Sequence, residues 1–259
     1  MAEVFDVATF ASFGALSGYD EATMVEYSAQ RGGNPEDPRL RNSLDFVLWQ
    51  PSLPDEPTWP SPWGQGRPGW HIECSAMAMG ILGPTLDLHG GGSDLVFPHH
   101  ECSRAQSEAA NGVPFATHWM HCGMVGYEGT KMSKSLGNLV FVSDLSRQAD
   151  PRAIRLALMR HHYRTDWEWF DGDIDTGSEM LDRLWRASHA PSGHDPSLHA
   201  ERLRAALVDD LDAPTALATL LDLAEQILEG GPDDTAPAVL GELAALVGVD
   251  LGPAPAPLA

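Results

Sequence analysis

The chain has 259 residues, 43% of them apolar, which is enough for one large domain or two modest ones with a buried core. Its formal charge of −21 excludes a general nucleic-acid coat, because phosphate affinity depends on Lys and Arg releasing counterions, although a local basic site stays open. Fourteen of the 16 basic residues are Arg, and the only two lysines, Lys131 and Lys134, share the pentapeptide Lys131-Met132-Ser133-Lys134-Ser135. That placement hints at a chemical demand for the compact ammonium.

From the N-terminus onward, no basic segment precedes an apolar run, and no apolar stretch approaches the ~18 residues of a membrane span. Three cysteines, Cys74, Cys102 and Cys122, are too few and too odd in number for a disulfide framework. A cytoplasmic protein without membrane contact is expected. Residues 51–69 are dense in Pro and Gly and read as a loop. A helix is expected from about Ile72 to Ile81, then a strand from Thr85 to His89 that runs into Gly90-Gly91-Gly92-Ser93-Asp94, then a helix from Pro98 through Ala110. Asp150-Pro151 supplies an N-cap with Pro at the first helical position and opens another helix. Strand, glycine turn and helix in alternation argue α/β with a parallel sheet.

Beyond Asp171 the pattern changes. Leu181, Leu184 and Trp185, then Leu203, Leu207 and Leu211, then Leu217, Leu220, Leu221, Ala224 and Leu228, then Leu240, Leu243 and Val247 recur at three and four residues. That is the spacing of amphipathic helices in a bundle. Gly252 to Pro257 reads as a frayed tail. Residues 1–162 carry 11 basic and 18 acidic groups, whereas 163–259 carry 5 and 19, and eight of the 11 His lie between His71 and His162. Chemistry is expected in the middle of the chain, with an acidic accessory module after it.

Four groups of residues carry candidate chemistry. His71, Cys74, His99, His100 and Cys102 form two clusters of zinc-type ligands at helix starts, though buried Cys is also common as a small hydrophobe. Gly90 to Asp94 follows a strand, so its backbone suits close approach of a nucleotide, with Asp94 accepting from ribose hydroxyls; plain turns use the same residues. The lysine pentapeptide between Gly129 and Gly137 reads as a mobile loop able to close on a polyphosphate, against a solvated turn as the alternative. Asp171, Asp173, Asp175 and Asp182 invite a calcium loop, but Thr176 stands where that loop needs Gly, which favours an acidic first helical turn. Trp167 and Trp169 read as core or domain-interface aromatics rather than ligands.

Taken together, GRPGWHIEC (Gly66 to Cys74), DLHGGGSDLVFPHHE (Asp87 to Glu101) and KMSKS resemble the second half of a class I aminoacyl-tRNA synthetase catalytic domain of the cysteinyl type. The resemblance implies an α/β fold, the C-terminal half of a class I synthetase Rossmann-like catalytic domain, followed by an α-helical bundle. Its implied segments are 1–66, a partial insertion or connective piece; 67–171, the catalytic half with the zinc and KMSKS motifs; and 172–259, the bundle with its disordered tail. By the same resemblance Cys74 and His99 bind Zn2+, Trp70 contacts the substrate cysteine, and Gly92, Ser93, Asp94 and Val125 hold the adenylate. Lys131, Met132, Ser133, Lys134 and Ser135 form the ATP-binding loop, with Lys131 and Lys134 acting in catalysis.

Cysteinyl-tRNA synthetases carry a Glu four residues after the zinc His, where this chain has Ser103. The departure points to their relatives, the mycothiol-pathway ligases that join L-cysteine, activated with ATP, to the amine of glucosaminyl-inositol. Gln30-Arg31-Gly32-Gly33-Asn34-Pro35 is similar to their ERGGDP motif, with Gln30 and Asn34 replacing two carboxylates. The implied protein is a monomeric, AMP-forming cysteine ligase without a nucleic-acid partner. No HIGH-type His pair and no first zinc Cys occur before Gly66, so an N-terminally truncated, inactive chain is expected. A cysteinyl-tRNA synthetase fragment and a non-catalytic zinc or nucleotide binder are the alternatives.

Overall fold

The computed structural model describes residues 2–134 and 136–257 and divides into two compact units, Met1–Cys122 and Gly123–Ala259. The division falls inside the 67–171 segment expected as one catalytic half.

In the first unit, β1 (Glu3–Phe5) leads through a turn to α1 (Glu21–Gln30), whose N-cap Asp20 accepts from the Thr23 amide at 2.8 Å. Next, β2 (Phe46–Gln50) pairs antiparallel with β1 and with β3 (Arg67–Pro68). The Pro- and Gly-rich stretch before β3 is irregular, as its composition demands, and closes on itself through paired backbone bonds between Trp59 and Gly66. Then come α2 (Trp70–Leu82), β4 (Leu86–Gly92), α3 (Glu101–Asn111) and β5 (Ala116–Cys122), with β4 and β5 parallel and α3 in the crossover. The strand runs three residues further than expected. Gly90, Gly91 and Gly92 stay in the ladder opposite Met120, His121 and Cys122. The helix expected from Pro98 begins at Glu101, after a wide turn over Val96–His100 in which Phe97 is extended. Apolar side chains gather in two places: Val7, Met24, Leu44, Phe46, Phe97, Cys102 and Ala105, and, separately, Leu86, Phe115 and Ala116.

In the second unit, β6 (Val125–Tyr127) pairs antiparallel with β7 (Thr130–Lys131) and parallel with β8 (Trp167–Glu168). Between β7 and β8 lie α4 (Val142–Gln148) and α5 (Pro151–Met159), the latter capped by Asp150 as expected. The bundle follows as α6 (Asp173–Ser188), α7 (Ser197–Val208), α8 (Ala213–Glu229) and α9 (Ala236–Leu246). Leu181, Leu184, Leu203, Leu217, Leu220, Leu240 and Leu243 are all buried in one core with Ala224 and Val247. Leu211 and Leu228 are exposed, 51% and 41%, because Leu211 sits in a left-handed turn and Leu228 on the outer face of α8. Asp173 accepts from Arg160 at 2.7 Å and from the Phe170 amide at 2.8 Å, so it is committed to starting α6 rather than to a calcium loop. Trp169 is buried, as expected of a core aromatic. The segment after Leu251, expected to fray, is tied back: Arg152 donates to the carbonyls of Asp250, Pro253 and Ala254, and Asp150 accepts from the Ala256 amide. No helix among the described residues is long and apolar enough to cross a membrane.

Candidate active site

In the first unit the chemistry gathers where the start of α2 meets the turn before α3. A Cβ at Gly69 would stand 2.2 Å from the Val47 carbonyl oxygen, so only glycine lets the chain pass this close to β2 and deliver Trp70 and His71 in the first turn of α2. The Trp70 ring stacks on His99, with centroids 4.4 Å apart and planes 13° from parallel. Nδ1 of His71 lies 3.0 Å from Nδ1 of His99, so one of the two nitrogens carries the shared proton. Cys74, four residues after Trp70, occupies the same face of α2. Trp70, Cys74 and His99 are therefore brought to one end of the unit.

A second imidazole pair adjoins the first. Nδ1 of His100 and Nε2 of His121 are 2.7 Å apart, and the rings of His89 and Trp119 pack on His100 at 4.6 and 5.4 Å. The glycine run has a structural consequence here: a Cβ at Gly91 would stand 2.9 Å from Cε1 of His100. Gly92 ends β4, and Ser93 and Asp94 form the turn just beyond the carboxyl end of the parallel pair, where ligands of α/β folds bind.

Burial governs the protonation of these groups. It pushes His71 and His100 down to about 3 and His99 to about 4, with neighbouring imidazoles adding to the effect, and it lowers His89 as well. His71, His99 and His100 are neutral at pH 7. Burial also raises the Cys74 thiol, with Glu73 adding to it. Glu101 is wholly buried and accepts from the amides of Leu16 and Ser17 at 3.1 and 2.9 Å, which fixes the start of α3. Ser103 is equally buried, with its hydroxyl 3.5 Å from the His71 carbonyl and its own carbonyl accepting from Ser75 at 3.3 Å. A carboxylate at that position would be out of reach of water.

Arg31 supplies what the RGG stretch left open in the sequence. Its guanidinium donates to the carbonyls of Asp94 at 2.7 Å and of Phe97, and lies 4.4 Å over the Tyr27 ring, so it ties down the segment between the glycine turn and His99.

Neutral imidazole and cysteine thiolate are the donor types that zinc takes, and binding would release the Cys74 proton. Among the described residues, however, no three His, Cys, Asp or Glu side chains converge on one point, whereas a catalytic zinc site uses three protein ligands. Cys74 and His99 do not complete a zinc site by themselves. Cys102, weighed as an additional ligand, is buried in the apolar core beside Phe97 and Ala105, and burial raises its thiol far above the ordinary range.

In the second unit the lysine loop is better anchored than a free loop. Glu128 and Gly129, both at positive φ, turn β6 into β7, and Lys131 pairs with Gly126. Val125 pairs with Trp167, and its carbonyl accepts from the Met132 amide at 3.1 Å. Asn138 holds the loop from inside: its Oδ1 accepts from the Ser133 amide at 2.9 Å, and its Nδ2 donates to Thr130 and the Lys131 carbonyl. Met132 packs against the bundle core, while Lys131 and Lys134 are exposed. Ser135 lies outside the described residues. Sequence reasoning singled out neither Asn138, His89 nor His121. The concentration of histidine between His71 and His162 was the one signal pointing to the last two.

The chain is 50% identical over 250 residues to the L-cysteine:1D-myo-inositol 2-amino-2-deoxy-alpha-D-glucopyranoside ligase of Streptosporangium roseum, covering 95% of this chain and 61% of that protein. It is 51% identical over 250 residues to the ligase of the same name from Thermobispora bispora, with coverage of 95% and 61%. For that of Nocardia farcinica the identity is 49% over 247 residues, with coverage of 92% and 59%. The chain thus spans about three fifths of the length of these curated relatives. A model of the tRNA synthetases class I (C) catalytic domain matches residues 2–179, and the chain belongs to that family.

Proposed function

We propose that the chain is the part of an AMP-forming ligase that couples L-cysteine to the amine of glucosaminyl-inositol. The observation that carries this reading is the 50% identity, over 95% of the chain, to a ligase named for that reaction. Ser103, standing where cysteinyl-tRNA synthetases carry a Glu, supports it over tRNA charging.

The reaction has two steps. The cysteine carboxylate attacks the α-phosphate of ATP, giving cysteinyl-adenylate and pyrophosphate; the sugar amine then attacks the activated carbonyl, forming an amide and releasing AMP. Lys131 and Lys134 place ammonium groups against the charge that builds on the departing phosphates. The Met132 and Ser133 backbone, pinned by Val125 and Asn138, fixes where those ammoniums start from. Gly92, Ser93 and Asp94 hold the adenosine at the end of β4, and Trp70 packs against the cysteinyl group. Zinc on Cys74 and His99 needs a third protein ligand that the described residues do not place beside them, and no step here passes through the metal.

The test uses the chain joined behind the preceding part of the Streptosporangium roseum ligase. Cysteine-dependent AMP release that rises with glucosaminyl-inositol is expected. Release that rises with tRNA and ignores the amino sugar would replace this reading with aminoacylation.

A further inference from the structure

The first unit holds a cavity of about 460 Å³ that the cysteine and ATP residues touch only at Trp70 and His71. This is within the size range of small-ligand sites, ~300–1,000 Å³. Its walls come from the stretch between Ser28 and Leu40, from β1 and β2, from the start of α2 and from the turn at Phe97 and Pro98.

The chemistry of the lining narrows the ligand. Arg39 pairs with Asp37 and Arg67 with Glu56, Arg31 donates from Nη1 to two backbone carbonyls, and Asp45 also lies in the wall, so little net positive charge faces the cavity. These pairings disfavour a phosphate or carboxylate ligand. What faces the cavity instead is neutral or shared. The side-chain amides of Asn34 and Gln50 make no hydrogen bond among the described residues. The Asp37 carboxylate, gripped by Arg39 Nε at 2.8 and 3.1 Å, keeps acceptor positions to spare. Trp70, 47% exposed, adds an apolar ring face. Amides that both donate and accept, a braced carboxylate and an indole face match a ring carrying several hydroxyls, each of which also donates and accepts.

We propose that this cavity binds the hydroxyl-rich part of the amine acceptor, a sugar or cyclitol ring. Asn34, Asp37 and Gln50 read its hydroxyls, and the amino group points to the Trp70–His71 end. The assignment rests on the ligase reading above, which places the activated cysteine at Trp70. It gives the RGGNP stretch a second task beside the anchoring role of Arg31.

Calorimetric titration of the 259-residue chain with glucosaminyl-inositol, and separately with ATP, tests the assignment. The amino sugar is expected to bind. Asn34→Ala and Gln50→Ala should each weaken it about tenfold, the effect of leaving one hydroxyl without its partner, with ATP affinity and thermal midpoint unchanged. Asn34 is exposed and Gln50 half-buried; if a midpoint does move, Asn34→Leu, which keeps the shape and removes the polar atoms, replaces the truncation. No binding of the amino sugar, or equal binding by the double variant, overturns the cavity assignment. Failure of the ligase reading has a different signature, the absence of amide product from the joined protein. Amide formation with an unchanged KM for the amino sugar in the double variant would keep that reading and discard the cavity.

Discussion

The two units bury different things. The second is built around leucine and alanine from five helices, with Asp150, Asp173, His199 and Thr219 as its buried polar residues among those described. The first buries Asp45, Ser75, His99, His100, Glu101, Ser103, Gln106 and Ser107 beside small apolar clusters. A polar interior costs free energy unless every group finds a partner. Its concentration beside Trp70 and Cys74 marks where the fold has given up apolar burial for chemistry.

Substitutions can break this contrast. The largest effect should come from the second unit: Leu220→Ala, at a wholly buried position, should cost about 2–5 kcal/mol of stability in denaturant unfolding. Leu228→Ala, 41% exposed, should cost less than about 0.5 kcal/mol. Next in size, Lys134→Ala in the joined protein should slow cysteine-dependent ATP–pyrophosphate exchange roughly 10²-fold, worth about 3 kcal/mol of transition-state stabilisation, with the thermal midpoint unmoved. In the first unit, Glu101→Gln removes a buried charge that holds two backbone amides and Arg104 and should cost about 2 kcal/mol. A cost near zero would show that this interior is not held by its polar bonds.

Acid should separate the units more gently. His71, His99 and His100 are neutral when folded, at about 3, 4 and 3 against 6.5 unfolded, so unfolding takes up protons below pH 6.5. The first unit's stability is therefore greatest above pH 6.5 and falls as the pH drops toward 4. The second unit has one lowered imidazole, His161, and a carboxyl, Asp150, that Arg152 holds well below the usual range. Asp150 gives up its contribution only below about pH 4. Pulsed amide exchange followed by mass spectrometry should show the first unit opening before the second between pH 6.5 and 4. Opening in the reverse order would contradict the contrast.

The bundle was legible because leucines at three and four residues leave little choice of buried face. The α/β character was legible from strand, glycine turn and helix in sequence. Strand ends were not: three glycines read as a turn, yet they continue β4, paired with Met120, His121 and Cys122, and the side chains that crowd Gly91, those of Leu95 and His100, are set there by the fold and not by local periodicity. The pairing of His100 with His121, and the grip of Arg31 on Asp94 and Phe97, join residues 21 and more apart and leave no local periodicity. Cys74 and His99 were named from the motif, while the geometry around them shows two donors and not a finished metal site.

Product identity tests the central claim most directly. The joined protein is given cysteine, ATP, glucosaminyl-inositol and tRNA in one reaction, and the products are separated by mass. The account predicts the cysteinyl amide of glucosaminyl-inositol with one AMP per amide. Cysteine found on tRNA, with no amide formed, would contradict it.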